Sequence, residues 1–363
     1  KHKLEPVIMP HPDLTPILQE TYGVIVYQEQ IMRIANVMAG FTIGEADLLR
    51  RAVSKKKREV LEQQRDAFVK GSLKKGYTKQ VAQEVYELIV RFADYGFPKS
   101  HAVAYSIISY QMAYLKANFP VNFYAALLTN ATGNSDKLMQ ILAEAKANGI
   151  EVLPPSINRS VRHFKVENGK IRFSLSAIKG VSQPFLQQLM QARKERQQPF
   201  DSIFDLAVTL TTAHFQRKVV EPLIKAGAFD EFGKDRATLL ATIEGAQKQA
   251  DFMRPGGDDL FEGAIMAFGK PKYNEMSGMP EKIKLQYEKE VLGFYLSDHP
   301  IVRMRAHFQE VNATMQTLPT LKDNAYIRII GIVSEFRQLR TKRGELMAFV
   351  TIEDEFGSVS CTL

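Results

Sequence analysis

The pattern of hydrophobic and polar positions divides the chain into a helical first part and a mixed remainder. Up to about residue 150, apolar residues recur mainly at the spacing of one helix face. A capping box, Thr42-Ile43-Gly44-Glu45, predicts the start of the first of these helices. The predicted helices cover residues 43–52, 59–75, 79–93, 100–119 and 136–148. The pattern of this part therefore indicates a mainly helical structure.

Beyond the break at Pro154-Pro155, the pattern predicts a β-hairpin and further short helices. Asn168-Gly169 separates two short alternating runs, which is a strong short-range sign of a hairpin. The segment from Pro255 to Pro280 is rich in Gly and Pro, so we predict a mostly irregular connector there. The predicted helices of this part cover residues 183–196, 216–226, 235–250 and 281–292.

From Ala325 the chain changes to a period of two, which is typical of β-strands. A first strand is predicted there, with turns at Arg343-Gly344 and Phe356-Gly357 before two further strands at 346–352 and 358–363. Three strands in this order suit the opening of a small antiparallel barrel, and the chain stops before such a barrel could close. The predicted fold class is therefore mainly α with a small β portion.

Composition narrows the classes of function. The formal charge of +8 and the pI near 9.3 attract polyanions, nucleic acid first, although many soluble proteins carry such a charge and bind none. The single cysteine, Cys361, excludes an intrachain disulfide and a Cys-rich zinc site, which fits a reducing cytoplasm. There is no run of about 18 apolar residues, so we expect no transmembrane helix and no membrane partner. The chain begins with Lys1 rather than Met, so we expect a cut end.

Motifs that would carry catalysis or bind a metal are missing. Gly71 and Gly76 have the spacing of a P-loop, but Tyr77-Thr78 stands where that motif requires Lys and Ser or Thr. Asp258-Asp259 lies in the Gly/Pro-rich connector, where adjacent carboxylates make a poor metal clamp. We therefore predict no catalytic residue and no metal site in this chain.

A cationic cluster is the first candidate for binding chemistry. Six of the nine residues from Arg50 to Arg58 are Lys or Arg. Arginine offers a planar fork of donors that matches phosphate geometry. Equally, cations at the end of a helix suit its dipole and can simply be solvated. The cluster by itself leaves both interpretations open.

The segment Tyr95–Tyr105 combines a tight turn with the predicted start of a helix. Ser100 is the predicted N-cap, and free N–H groups would gather around it. Lys99 and His101 add donors at the same point, and Tyr105 shares a helix face with His101. The segment is therefore compatible with an anion site beside an aromatic side chain. Taken alone, it favours a capped helix with an ordinary surface Lys and His.

Two glycine-containing turns between short helices have a helix-hairpin-helix pattern. In such a turn, from Ile178 to Ser182 here, backbone N–H groups can hold a DNA phosphate without reading the base sequence. The segment Ile224–Ala228 is similar, but an ordinary glycine C-cap accounts for it equally well.

Together, six segments of the chain resemble the alpha subunit of bacterial DNA polymerase III, DnaE type. They occur in the order of that family and span nearly the whole chain. The segments are Tyr22–Met32, Asp47–Ala52, Tyr95–Tyr105, Leu153–Asn158, Ile178–Ser182 and Leu292–Pro300. The resemblance implies part of a template-directed DNA polymerase. The palm aspartates of the family and the Mg²⁺ that they hold would lie upstream of Lys1, so this part is expected to be inactive alone.

The resemblance also implies three functional regions. Residues 1–155 would be the fingers, 156–300 the helix-hairpin-helix and clamp-binding region, and 301–363 a linker and the first part of an OB-fold domain. In this family the fingers contact the incoming deoxynucleoside triphosphate. The residues implied at that contact are Arg50, Arg51, Lys99, His101, Gln28 and Tyr105.

DNA and the sliding clamp are the other implied partners, together with further replisome subunits. The implied contacts to primer-template DNA are Lys179, Gly180 and Ser182 for the duplex backbone and Arg337, Arg340, Lys342 and Arg343 for single-stranded template. For the last four, a solvated hairpin is an equal alternative. Leu260-Phe261 matches the end of the family's clamp motif, but Gly257 replaces its usual Gln.

A rival interpretation is a free-standing, non-catalytic DNA-binding module built from helix-hairpin-helix and OB elements. The arginine pair, the missing initiator Met and the incomplete barrel count against it.

Overall fold

The chain folds into two compact units, Lys1–Tyr114 and Leu115–Leu363. The computed structural model describes residues 6–54, 58–92, 96–211, 213–253, 272–305, 307–308, 310–340, 344 and 346–363. Among the described helices, none combines the length and the apolar character that a membrane span requires. The functional regions implied by the resemblance, with boundaries near 155 and 300, stay a prediction.

The first unit is helical, as predicted. Its helices are α1 (Thr15–Leu18), α2 (Gln28–Ala39), α3 (Ile43–Ser54), α4 (Arg58–Lys74), α5 (Lys79–Phe92) and the larger part of α6 (Lys99–Asn118). The capping box is confirmed, because the backbone N–H of Thr42 donates to Glu45 and that of Glu45 donates to Thr42 Oγ1. Helices α2, α4 and α5 pack around Phe68, whose ring lies 5.5 Å from that of Tyr86.

Helix α2 was not among the helices that the hydrophobic periodicity predicted. The buried side chain of Gln30 explains why the helix starts where it does. The side-chain oxygen of Gln30 accepts hydrogen bonds from the backbone N–H groups of Val26 and Tyr27, at 2.8 and 2.9 Å. Its amide nitrogen donates to the carbonyl of Ile17 and to Thr21 Oγ1. Gln30 therefore joins the start of α2 to the chain before it.

Helix α6 confirms the predicted helix before Pro120 but differs from the others in its surroundings. None of its residues is buried. Apolar and aromatic side chains are exposed along it, among them Tyr105, Ile108 and Tyr110. Most apolar helices of a soluble unit bury one face, so this exposure marks α6 as a surface element rather than part of a core.

The second unit is mixed and opens with four helices and a small sheet. The helices are α7 (Pro120–Asn130), α8 (Ser135–Ala147), α9 (Gln183–Arg196) and α10 (Ile203–Thr209), and the strands are β1 (Val152–Leu153), β2 (Lys165–Glu167) and β3 (Lys170–Arg172). The predicted hairpin is confirmed: β2 and β3 are antiparallel around Asn168 and Gly169, both with positive φ. Strand β1 pairs parallel with β3.

Four more helices and a second sheet follow in the described part of this unit. They are α11 (Arg217–Lys225), α12 (Arg236–Met253), α13 (Glu281–Leu292), α14 (Pro300–Arg305), β4 (Ile332–Arg340), β5 (Leu346–Asp354) and β6 (Gly357–Thr362). Residues 272–280 have no regular structure, as predicted for that part of the connector. The core contains Tyr124, Phe173, Phe185, Phe215 and Phe229, all buried.

The second sheet corrects the position of the first predicted strand. Its order is β4-β5-β6 with antiparallel pairing, and β5 and β6 lie where the pattern placed them. The alternating residues 326–330, however, are not in a strand. The backbone of Arg328 instead pairs with Asn312, through Arg328 N–H to Asn312 Oδ1 and Asn312 N–H to Arg328 O. This long-range pairing satisfies the backbone groups that a strand would have used.

Candidate functional site

The paired arginines of the cationic cluster lie in the last part of α3 and share one carboxylate. Arg50 donates to Asp47 Oδ1 through Nε at 2.8 Å and approaches it through Nη2 at 2.7 Å. Arg51 Nε lies 2.7 Å from Asp47 Oδ2. The i,i+3 and i,i+4 spacings put these side chains on one face of the helix. Hydrogen bonds from Arg50, together with the charges of both arginines, outweigh desolvation and hold the pKa of Asp47 below its ordinary value.

Gln28 joins the arginine pair to the turn before α6. Its side-chain oxygen accepts a hydrogen bond from Arg50 Nη1 at 3.0 Å, and its amide nitrogen donates to the carbonyl of Gly96 at 2.9 Å. The backbones also meet, because Gln28 N–H donates to Phe97 O and Phe97 N–H donates to Val26 O. The structure therefore brings together three of the segments that carry the family resemblance.

The start of α6 corrects the predicted N-cap. The helix begins at Lys99, so Ser100 lies inside its first turn. The carboxylate of Glu29 accepts the backbone N–H of Lys99 at 2.9 Å, and the Lys99 ammonium binds both oxygens of Glu20 at 2.7 and 2.8 Å. The carboxylates of Glu29 and Glu20 therefore occupy donors of Lys99 that an external anion would otherwise use.

An aromatic row continues from this turn along α6. The rings of Phe97 and His101 lie 5.1 Å apart, and those of His101 and Tyr105 lie 4.7 Å apart. Tyr105 is 58% exposed. The ammonium of Lys99 lies 5.6 Å from the ring centroid of Tyr27, beside the same turn. The arrangement offers exposed aromatic surface next to cations, which suits a base attached to phosphates.

The first helix-hairpin-helix turn is exposed at Lys179, Gly180 and Ser182, and two of its backbone donors are available. Gly180 has φ +90°, and a Cβ there would lie 3.1 Å from Pro222 Cγ, so the turn requires glycine. Within the described part of the chain, the N–H groups of Gly180 and Ser182 donate to no protein acceptor. Lys179 is exposed, and Ser182 caps α9 by accepting from Phe185 N–H. The three predicted residues thus form one polar turn.

The second such turn has a structural role instead. Gly227 and its neighbours are buried, and a Cβ on Gly227 would lie 2.3 Å from Arg236 Nη2. Of the two interpretations left open for this turn, the geometry favours the glycine C-cap. The close approach lets the Arg236 guanidinium reach the carbonyl of Lys225 at 3.0 Å.

The two described basic residues predicted on the second sheet, Arg337 and Arg340, are not brought together. Arg337 pairs with Phe349 and Arg340 pairs with Leu346 in the register of β4 and β5. Residues three apart on a strand lie on opposite faces, so the two arginines do not share a surface. Lys342 and Arg343 lie outside the described residues, as do Leu260, Phe261 and Gly257 of the predicted clamp motif.

Several site residues were missed by the sequence analysis. Glu29 and Glu20 contact α6 from more than 60 residues away, and nothing in their local pattern indicates this. Asp47 could have been found, because its spacing to both arginines is that of helix ion pairs. Within the described residues, no group of three or more His, Cys, Asp or Glu side chains is placed to hold a metal ion.

Two stretches of the chain match models of known protein families. Residues 1–76 match the model of the bacterial DNA polymerase III alpha subunit finger domain, and residues 149–239 match a helix-hairpin-helix motif. The DNA polymerase III subunit alpha of Bacillus subtilis is 48% identical over 366 residues, which cover 100% of this chain and 32% of the relative. That of Thermus aquaticus is 41% identical over 367 residues, or 99% of this chain and 30% of the relative.

The matches extend over the whole chain, which spans about a third of the length of these relatives. The finger-domain match contains the arginine pair, and the helix-hairpin-helix match contains the exposed turn at Gly180. Sequence and structure thus point to one family: the chain is a segment of an alpha subunit of bacterial DNA polymerase III, DnaE type.

Proposed function

We propose that this segment holds the incoming deoxynucleoside triphosphate and the DNA within a DNA-directed DNA polymerase. The observation that carries the proposal is the joint arrangement of Arg50 and Arg51, braced by Asp47 and Gln28, beside the aromatic row that ends at Tyr105. Arginine forks suit the triphosphate, and the exposed rings suit the base or sugar. Lys99 and His101 are the weaker members of the site, because Glu20 already binds the ammonium of Lys99.

The polymerase would add deoxynucleotides to a primer 3′ end with release of pyrophosphate. Mg²⁺ would supply charge neutralisation at the phosphates, and in the family resemblance its ligands are palm aspartates outside this chain. The residues of this segment would contribute by fixing the triphosphate and countering its negative charge as the fingers close. The proposed compartment is the cytoplasm.

The DNA contacts proposed for the second unit are of two kinds. The Lys179–Ser182 turn combines a cation with unengaged backbone donors, which suits a duplex phosphate. On the second sheet, Arg337 lies opposite the partly exposed Phe349, which suits a stacked base of single-stranded template. Arg340 would act on the other face. The sliding clamp remains a proposed partner through Leu260 and Phe261. Further replisome subunits are also proposed partners.

Arg51→Ala tests the nucleotide site, in a polymerase polypeptide of the relatives' length that carries this sequence. Loss of one contact to the triphosphate should cost about 2–4 kcal/mol in the transition state, as for a lost oxyanion donor. Single-nucleotide insertion assays should therefore show a higher nucleotide requirement or a slower chemical step. Arg65→Ala is the matched control, since Arg65 forms an exposed pair with Glu87. Unchanged nucleotide kinetics for Arg51→Ala would contradict the proposal.

Lys179→Ala tests the DNA contact. Binding of primer-template DNA should weaken across sequences, and the slope of log K against log salt should fall in magnitude by about one. Lys194→Ala is the control, because it removes an exposed lysine in the last turn of α9, about 18 Å of helix rise beyond Ser182. Equal effects of the two substitutions on DNA binding would remove Lys179 from the interface.

The rival interpretation, a non-catalytic DNA-binding module, is tested by primer extension. DNA binding by a polymerase polypeptide that shows no primer extension would favour it.

A further inference from the structure

The two arginines of the candidate nucleotide site differ in how their donors are used. Arg50 is 27% exposed and donates through Nε and Nη2 to Asp47 and through Nη1 to Gln28. Arg51 is 63% exposed, and among the described residues its only partner is Asp47, which it contacts through Nε. The terminal nitrogens of Arg51 thus have no partner in the described part of the chain.

We propose that Asp47 is a positioning residue for nucleotide binding: it fixes Arg50 as a brace and presents the Nη nitrogens of Arg51 to the triphosphate. The proposal rests on the proposed function. A free arginine side chain has considerable rotamer freedom, which binding must remove. A carboxylate that already holds the inner nitrogen reduces that cost and leaves the outer donors available.

A competing role for Asp47 would be to neutralise the arginines and exclude the phosphates. The geometry favours positioning, because each carboxylate oxygen contacts a different arginine and the contact to Arg51 uses only the inner nitrogen. Asp47 cancels one of two positive charges and leaves the pair cationic. The two roles predict opposite effects of removing the carboxylate charge, so one substitution separates them.

Asp47→Asn should be measured in the same full-length polymerase by single-nucleotide insertion at varied deoxynucleotide concentrations. We expect KM for the nucleotide to rise about tenfold, which corresponds to about 1.4 kcal/mol, with a smaller change in kcat. The inhibition constant for inorganic pyrophosphate should rise in parallel, while the Kd for primer-template DNA and the melting temperature stay unchanged. Asp66→Asn, which removes an exposed carboxylate on α4, is the control.

Each result decides the proposal. If KM for Asp47→Asn is within twofold of the parent value, or lower, Asp47 is not a positioning residue. The proposed nucleotide site would still stand in that case, provided that Arg51→Ala raises KM. If Arg51→Ala also has no effect, the proposed nucleotide site is wrong and the role of Asp47 falls with it. Asp47→Glu keeps the charge and provides a second variant should Asp47→Asn not fold. It should keep KM within about threefold of the parent, equivalent to about 0.7 kcal/mol, and a larger rise in KM would overturn the proposal.

Discussion

Glu288 shows at the scale of a single residue how a buried charge organises the second unit. It is 2% exposed, and its Oε2 accepts hydrogen bonds from the backbone N–H groups of Leu296 and Ser297 at 3.1 and 2.9 Å. Its Oε1 lies 3.4 Å from the guanidinium of Arg236, which also binds Asp230 at 2.7 Å. Burial alone lowers the pKa of Arg236, but the hydrogen bond and charge of Asp230, with those of Glu288, outweigh it and raise the pKa. One network therefore joins the turn at Gly227 to the Leu292–Pro300 segment.

Arg236→Ala should destabilise the chain strongly. Removing one partner of a buried pair leaves an uncompensated charge, here Glu288, at a cost of about 3–5 kcal/mol. Urea denaturation monitored by circular dichroism should show this loss in the free energy of unfolding of the second unit. Arg217→Ala is the matched control: its exposed pair with Glu221 should contribute less than about 1 kcal/mol. Similar losses in the free energy of unfolding for the two substitutions would show that the buried network stabilises the unit no more than the exposed pair does.

At the scale of an element, the start of α3 depends on the charge of one side chain. Glu45 accepts the backbone N–H and the hydroxyl of Thr42, both at 2.8 Å. These hydrogen bonds, the backbone one first, hold the pKa of Glu45 below its ordinary value of 4.5. The capping box also sets the beginning of the helix that carries Arg50 and Arg51, so its strength bears on the candidate site.

The capping box should weaken at acid pH. Because the pKa of Glu45 is lower in the folded chain, its contribution to stability is fully present above the ordinary pKa of 4.5 and is lost as the pH falls through the lowered value. Carboxyl titration by NMR, together with hydrogen exchange of the Thr42 and Glu45 amides, should follow the loss. Glu45→Gln should abolish this pH dependence. A carboxyl that titrates at its ordinary pKa would refute the expectation.

At the scale of the whole molecule, each unit has its own hydrophobic core. Phe68 is fully buried in the core of the first unit, and Phe173 is fully buried in that of the second. A unit with its own core has the anatomy of a domain. Stability should therefore be described for each unit by itself rather than by a single free energy for the chain.

Phe68→Ala and Phe173→Ala should each act on one unit. Truncation of a buried Phe costs about 3–5 kcal/mol through lost burial and the cavity left behind. Hydrogen exchange followed by mass spectrometry should show reduced protection in peptides before residue 115 for the first variant and after it for the second. Tyr326→Ala, at an 80% exposed position, should alter neither pattern. Loss of protection across both units from either Phe substitution would mean that they unfold together.

The sequence by itself determined those features that depend on neighbours along the chain. The Thr42–Glu45 capping box, the Asn168-Gly169 hairpin and the long helices follow from contacts three or four residues apart or from turn geometry. The arginine pair and the Gly180 turn were also found in this way, because cation clustering and a glycine turn are local patterns. The same locality could have identified Asp47 as the partner of both arginines.

Only the tertiary structure decided which distant groups complete these elements. Glu29 rather than Ser100 caps α6, Gln28 joins Arg50 to Gly96, and Asn312 holds Arg328 out of the predicted strand. A hydrogen-bonding group accepts any suitable partner that the folded chain brings within reach, and sequence spacing does not limit that choice. The physical reason for the division is thus range: short-range geometry is encoded in the local pattern, whereas long-range pairing exists only once the cores have formed.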